Sequence, residues 1–388
     1  MIANHGEVMS YINTLINIPD PISLILMIIG LIFIYLGSRK GLEPIMLVPI
    51  GFGILLANIP LSGLNDPPYG LLYLIREKLL MTEVLPCLAF LCIGTMMDLR
   101  PLLNRPWLLL FGISGQSGVI FALILALLVG FDFREAVAVG IIGCADGPTA
   151  IFVSTKYAPH LLGAIGLAAY TYISMVPLLQ VPLMRALISK KEMSIRMSVT
   201  SGEEVSNTVV MIFPIILIIL SLIFMPSALP LIGMLALGNF LRESGVTELV
   251  DRYTKTASTT LADVVTLLLG LSVGSALSSS VITASPDLPF KVIAVFALGI
   301  IAFSGDLIIG ILTGKLVSIL SKGRINPAIG ASANSAFPVS ARVVQREVSR
   351  ASPGNIILMY SLTTNLAGQI TSPVFAGIIL TLLGVLGI

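Results

Sequence analysis

Apolar runs recur along this chain from end to end, near residues 22–37, 43–59, 84–98, 107–130, 136–154, 160–188, 208–225, 228–241, 260–277, 291–320, 326–341, 353–370 and 371–387, each bounded by charge clusters or by Pro and Gly. A chain patterned in this way belongs in lipid, where a backbone must satisfy its own hydrogen bonds within each helix. Of its 388 residues 56% are apolar and only 11% are charged, less than half the roughly 25% expected of a soluble domain. The mean hydropathy is +1.01. At about 20 apolar residues per crossing, the length allows about nine to eleven crossings and leaves almost nothing for a separate soluble domain. The predicted fold class is an all-α polytopic membrane protein.

Several runs are too broken to cross. Pro44–Pro60 (PIMLVPIGFGILLANIP) holds three prolines and two glycines, and the stretch Pro226–Leu241 is similarly short, so both are predicted as half-helices or re-entrant hairpins. Arg39 and Lys40 follow the first run, and Arg185, Lys190, Lys191 and Arg196 fill the central loop. By the positive-inside rule these mark the cytoplasmic side. Residues 1–38 contain no Lys or Arg, which places the N-terminus outside. The opening MIANHGEVMSYINTLINIPD lacks the basic segment and small-residue cleavage site of a signal peptide and reads as a short amphipathic lead-in.

The polar loop 189–207 (SKKEMSIRMSVTSGEEVSN) lies at the midpoint of the chain, and weak matches recur across it in a conserved order. PIGFGILLAN, ending at Asn58, resembles PLIGMLALGN, ending at Asn239; LCIGTMMDL around Gly94 resembles LLLGLSVGSAL around Gly270. CADG with Asp146 faces SANS with Asn334, and Tyr172 faces Tyr360. The expectation is an N-terminal membrane repeat over 1–188, a cytoplasmic linker over 189–207 and a C-terminal membrane repeat over 208–388. An odd number of crossings in each half would make the two copies inverted, with discontinuous and re-entrant helices meeting near the bilayer midplane.

Composition also excludes function classes. Lys and Arg number 22 against 20 Asp and Glu, a balance of +2 far from the basic stripe of a nucleic-acid binder. Cys87, Cys92 and Cys144 make no even-numbered disulfide framework. His5 and His160 are the only histidines and stand far apart, which removes the usual transition-metal and triad constellations. Any metal bound would have to be held by oxygen.

Asp146 lies in GIIGCADGPTAI and is the only acidic or basic side chain between Glu135 and Lys156. A carboxylate at membrane depth costs roughly 2.5–3.5 kcal/mol even on the lenient insertion scale, so it marks a functional site by default. Gly143, Gly147 and Pro148 flank it and interrupt a helix there, baring main-chain groups that serve as ion ligands. The corresponding stretch of the second half, NPAIGASANSAFPVSA from Asn326, carries no charge but is dense in Asn, Ser and Gly. Asn326, Ser332, Asn334 and Ser335 offer neutral oxygens that, with one Asp, suit a monovalent hard cation such as sodium. Arg342 follows as a fixed positive charge able to meet an anion.

Two further segments combine apolar length with polar clusters. Residues 160–188 hold Tyr170, Tyr172 and Gln180, and the stretch after Arg350 holds Asn355, Tyr360, Thr364, Asn365 and Gln369; Tyr172 and Asn365 are the selected candidates. Asp306, in FSGDLIIG, is a second isolated intramembrane acid.

The string GCADGPTAIFVSTKYAPHLLGAIGLAAYTYISMVPLLQVPLM resembles the GGADGPTA signature region of the membrane (beta) subunit of sodium-translocating biotin-dependent decarboxylases. The similarity extends from about residue 24 to the C-terminus, taking in INPAIGASANSAFPVSARV and MYSLTTNLAGQI. Cys144 stands where the signature usually has Gly. The resemblance implies a bacterial plasma-membrane enzyme that decarboxylates carboxybiotin while sodium crosses outward and a proton is consumed. It implies Asp146, Tyr172 and Arg342 in catalysis and Asp146, Asn326, Gly330, Ser335 and Asn365 around sodium, to which the neutral oxygens of the motif itself add Asn334. The biotin is carried by a partner protein and loaded by a carboxyltransferase subunit; a small membrane anchor subunit and a homo-oligomer are compatible partners. The short 61–83 stretch leans toward the malonate, methylmalonyl-CoA and glutaconyl-CoA types over the oxaloacetate type. A sodium-coupled secondary anion transporter shares the repeats, broken helices and midplane acid, and is the alternative reading.

Overall fold

The computed structural model describes residues 19–197 and 205–387. Residues 1–18, with His5 and most of the predicted lead-in, and residues 198–204 of the predicted linker lie outside the described residues. All regular structure among the described residues is helical. The principal helices are α1 (Pro21–Lys40), α2 (Pro44–Ala57), α3 (Val84–Met96), α4 (Ser117–Val129), α5 (Phe133–Gly140), α6 (Gly147–Tyr157) and α7 (Leu162–Leu187), followed by α8 (Asn207–Phe224), α9 (Leu229–Glu243), α10 (Ala262–Ser275), α11 (Leu288–Leu320), α12 (Val339–Ala351) and α13 (Leu358–Leu386).

Seven helices among the described residues are long and apolar enough to cross a membrane: Pro21–Lys40, Pro106–Val129, Pro159–Leu187, Asn207–Phe224, Val250–Ser275, Leu288–Leu320 and Leu358–Leu386. The count falls below the nine to eleven expected from length. Four apolar runs fold instead into short helices, with 14 residues in α2, 13 in α3, 8 and 11 in α5 and α6, and 15 in α9. None of these reaches the roughly 20 residues of a crossing. The run at 326–341 becomes a 3₁₀ turn, Pro327–Ser332, and a loop before α12.

The described chain forms two compact units. One runs to Thr82 and includes Thr266–Phe290; the other comprises Glu83–Val265 and the chain from Lys291 onward. In the first unit, the Asp20 carboxylate caps α1 by accepting from the Ile22 and Ser23 N–H groups, both at 3.0 Å. Helices α2 and α10 cross with main chains in contact, since a Cβ on Gly53 or Gly274 would collide with the Leu271 or Ile50 carbonyl oxygen. Asn58 closes this crossing, its Nδ2 donating to the Leu277 carbonyl at 2.9 Å.

The second unit contains a crossing of the same design between α3 and α9. There a Cβ on Gly94 would strike the Leu235 oxygen and one on Gly238 the Leu91 oxygen, and Asn239 Nδ2 donates to the Met97 carbonyl at 2.8 Å. The residues matched in sequence, Asn58 and Asn239, therefore do the same work. Each occupies a close helix crossing and satisfies a carbonyl where the partner helix ends.

Two buried acids of the second unit, Glu135 and Glu347, are held by cations. Glu135 caps α5 together with Asp132 and accepts from Lys291 Nζ at 2.7 Å, with His160 Nε2 at 2.8 Å on the same oxygen. Glu347 is bracketed by Arg185 at 2.8 Å and Arg350 at 2.6 Å. Such pairing is what makes a buried charge tolerable.

Candidate functional site

The site is built where a helix breaks. After α5 the chain tightens into a 3₁₀ turn, Ile141–Cys144, then Ala145 adopts a left-handed conformation (φ 55°), and α6 restarts at Gly147 with Pro148 in its first turn. Asp146 is left at the joint as the N-cap of α6. Its Oδ1 accepts from the Thr149 N–H at 3.3 Å, and its Oδ2 accepts from Thr149 Oγ1 at 2.7 Å and from Gln369 Nε2 at 3.2 Å. The residue is 2% exposed. The carboxylate is thus held in the interior by neutral donors.

The second-half motif folds against this joint. The Ser335 N–H donates to the Cys144 carbonyl at 3.1 Å, and Ser335 Oγ donates to the Gly368 carbonyl at 2.9 Å. Asn334 caps the loop by accepting from the Ala336 N–H at 3.1 Å, while its own carbonyl accepts from Asn365 Nδ2 at 2.6 Å. On α13, Asn365, Gln369 and Ser372 follow one another at helical spacing. They meet in turn the Asn334 carbonyl, the Asp146 carboxylate and the Cys144 thiol, the last at 3.1 Å. Gly368 admits this approach, for a Cβ there would collide with the Ala333 and Asn334 oxygens. Asn365 Oδ1 is buried and has no hydrogen-bond partner. The cluster therefore offers a carboxylate, an orphaned amide oxygen and singly hydrogen-bonded main-chain carbonyls such as that of Asn334, oxygens of the kind that suit a hard monovalent cation.

Of the residues singled out in sequence, Asp146, Asn334, Ser335 and Asn365 come together here. Asn326 and Gly330 serve the same loop from farther along. Asn326 Nδ2 donates to the Met193 and Ile195 carbonyls at 2.9 and 2.8 Å, and its Oδ1 caps the 3₁₀ turn through the Ala328 N–H. Gly330 lies against Gly310 of α11, main chain to main chain. The Tyr172 hydroxyl donates to the Phe296 carbonyl and its ring covers Gly299, so it is turned toward α11. The ring that packs on Gly147, next to Asp146, is that of Tyr170, whose buried hydroxyl has no partner. Arg342 is exposed, on the first turns of α12.

Sequence reasoning passed over Gln369, Ser372 and Gln180 as site residues. Gln180, fully buried on α7, bonds the Ala331 and Ser340 carbonyls at 3.1 and 3.2 Å and accepts from Ser340 Oγ at 3.1 Å, which holds the loop from behind. The legible signal was three amides, Asn365, Gln369 and Gln180, inside runs otherwise free of charge.

A buried acid at a helix break, faced by amide and carbonyl oxygens within a bundle of long apolar helices, defines the class of polytopic ion-translocating membrane proteins. Residues 22–383 match the family described as the Na+-transporting oxaloacetate decarboxylase beta subunit, and the chain belongs to that family. It is 43% identical over 364 residues to the glutaconyl-CoA decarboxylase subunit beta of Acidaminococcus fermentans, covering 93% of each chain. Identity to the methylmalonyl-CoA decarboxylase subunit beta of Veillonella parvula is 42% over 359 residues, 92% of each chain. Against the oxaloacetate decarboxylase beta chain 2 of Salmonella typhi it is 36% over 416 residues, covering 92% of this chain and 94% of the relative. The protein is accordingly a multi-pass membrane subunit of a sodium-pumping decarboxylase and works with partner subunits.

Proposed function

We propose that this subunit decarboxylates carboxybiotin, presented by a partner biotin carrier protein, and uses that reaction to move sodium outward through the Asp146 cluster. The observation that carries the reading is the burial of Asp146 among neutral donors at a broken helix. A carboxylate without water or a fixed cation binds a proton or a sodium ion, and each displaces the other. In the reaction the N–C bond of carboxybiotin breaks, carbon dioxide leaves, and the electron pair remains on the ureido nitrogen, which takes up a proton. Withdrawal of that proton from the Asp146 network leaves the carboxylate free for the next sodium ion. Moving one charge against 100 mV requires about 2.3 kcal/mol, so decarboxylation must supply at least that per ion.

Sodium, as cargo, is held by Asp146 with Asn365, Ser335 and the Asn334 carbonyl. Asn326 and Gly330 fix the loop that presents them. Tyr172 and Arg342 belong to the proton and carboxylate sides of the reaction, Arg342 from an exposed position where it can meet a carrier-borne anion. The two halves of the chain, 1–188 and 208–388, act as inverted repeats about the 189–207 linker, a reading supported by the matched crossings at Asn58 and Asn239. Higher identity to the acyl-CoA decarboxylase relatives than to the oxaloacetate relative supports an acyl-CoA substrate for the partner carboxyltransferase. Avidin, which sequesters biotin, tests the reading: it should abolish sodium transport by the assembled complex, and transport insensitive to avidin would make the protein a secondary transporter.

A further inference from the structure

Arg185 lies in the last turn of the membrane-spanning helix α7, and Arg350 in the last turn of α12. Both reach the same acid, Glu347, Arg185 through Nε at 2.8 Å and Arg350 through Nη1 at 2.6 Å. Glu347 is 3% exposed, whereas the two arginine side chains are 58% and 59% exposed. The acid therefore fixes both guanidinium groups and leaves the terminal nitrogens of Arg185, and Nε and Nη2 of Arg350, with no acceptor among the described residues. Beside them opens a cavity of about 320 Å³, lined further by Ile188, Ser189, Lys190 and Met193. Lys190, at the start of the short helix Lys190–Met193, makes no ion pair among the described residues. Three cations thus face one acid that is already engaged.

That surplus sets the cavity apart from its larger neighbour in the same unit. The latter, of about 460 Å³, is lined by Arg100, Arg242 and Lys255 but also by Glu243 and Asp251, and Asp98 lies 3.6 Å from Arg100. Its charges balance. Near the smaller cavity, Glu192 is taken up by the Ser189 cap and by Lys315 at 3.2 Å, so the surplus stands. Two fixed guanidinium groups with a lysine beside them match the oxygens of a phosphate.

Position decides which phosphate. Leu178, Pro182 and Arg185 follow one face of α7 at helical spacing, and all three are exposed. An apolar strip of a membrane-spanning helix therefore ends on a cation at the mouth of the cavity, and Ile188 and Met193 carry apolar surface inside it. Such a strip accepts an acyl chain where the pocket accepts the headgroup. The positive-inside rule assigns this end of α7 to the cytoplasmic leaflet, where a basic pocket between helices meets anionic lipid.

We infer that the cavity between Arg185, Lys190 and Arg350 binds the phosphate headgroup of an anionic phospholipid, whose acyl chain lies along Leu178 and Pro182.

The test is photo-crosslinking of the assembled, purified complex by a phosphatidylglycerol that carries a diazirine near the head of its acyl chain. The matching phosphatidylcholine, whose headgroup bears its own cation, is the control, and adducts are located by peptide mass spectrometry. Phosphatidylglycerol should label residues 178–193 and 345–352, and unlabelled phosphatidylglycerol, but not inorganic phosphate, should displace it. Lys190→Glu, which leaves both arginines on Glu347, should lower this labelling by at least about fivefold, and Lys190→Arg should retain it. The labelling of unsubstituted protein decides the matter if Lys190→Glu does not assemble. Equal labelling by the two lipids overturns the inference, since the surface then takes any lipid. Displacement by inorganic phosphate overturns it in favour of a soluble anion. Absence of adducts there overturns it as well, and assigns the charges to a partner protein if the subunit freed of its partners becomes labelled.

Discussion

The Ser335 main-chain N–H donates to the Cys144 carbonyl at 3.1 Å, tying the neutral Asn/Ser motif to the chain two residues before Asp146. The bond joins segments far apart in sequence and satisfies a carbonyl that the broken helix leaves bare. Through it, and through Asn365 on the Asn334 carbonyl, the acid and the amides share one site.

Gln369 should prove as important to the site as the residues legible in sequence. Its Nε2 donates to Asp146 Oδ2, a bond to a charged group worth about 1.5–3 kcal/mol. Gln369→Leu is expected to raise the sodium concentration for half-maximal decarboxylation by at least tenfold, whereas Gln369→Glu, which sets a like charge against Asp146, should be inactive at neutral pH. Sodium titrations of decarboxylation check this, and an unchanged half-saturation in Gln369→Leu would remove Gln369 from the site.

Asn326 and Asn355 clamp the same two carbonyls, those of Met193 and Ile195. Asn326→Ala should destabilise the protein by about 1–3 kcal/mol through unsatisfied buried groups. Its residual activity should keep the sodium half-saturation of wild type. Thermal unfolding in detergent, paired with sodium titration, separates this anchoring role from direct ligation, which would shift the half-saturation instead.

Gly330 and Gly310 form a single contact, so Gly330→Ala and Gly310→Ala should behave alike. Each overpacks a main-chain crossing, at a typical cost of 1–3 kcal/mol, and each should lower the melting temperature. A Gly330→Ala protein that melts like wild type but has lost sodium dependence would assign the residue to the ion site.

Outside the membrane, Asp20 gives a pH signature. Hydrogen bonds from the Ser23 side chain and main chain hold its carboxyl down at about 2, below the usual 3.8. Because the folded value is depressed, the capping contribution is fully present above the unfolded value and is lost as pH falls from about 4 through about 2. Acid-unfolding profiles of wild type and Asp20→Asn should therefore converge at the low end of that range and be parallel above it. A difference that grows with acidity would contradict the assignment.

Much of the site was legible in sequence because its cost is visible there. Asp146 stands alone in an apolar run, and Gly143, Gly147 and Pro148 announce the break that holds it. Asn334, Ser335 and Asn365 were legible by the same logic, as polar groups too dense for lipid. The two tyrosines were not separable, because Tyr170 and Tyr172 differ by about 200° around α7 in a run that is buried on nearly all sides. Hydropathy assigns depth to such a helix but no facing direction. Gln116, buried on the Gly368 carbonyl and Thr371, carries the same signal as Gln180 and Gln369, an amide inside a run free of charge, and was passed over in the same way. The short helices at 43–59 and 228–241 agree with their reading as half-helices or re-entrant hairpins, whereas the runs at 84–98 and 136–154 have the hydropathy of a span but form helices of only 13, and of 8 and 11, residues.

The most direct test is uptake of radioactive sodium into proteoliposomes that hold the assembled complex, driven by its decarboxylation substrate, for wild type and Asp146→Asn. The account predicts uptake that begins with substrate, carbon dioxide release that requires sodium, and loss of both in Asp146→Asn. Sodium uptake that persists undiminished in Asp146→Asn, or that proceeds without decarboxylation, would contradict it.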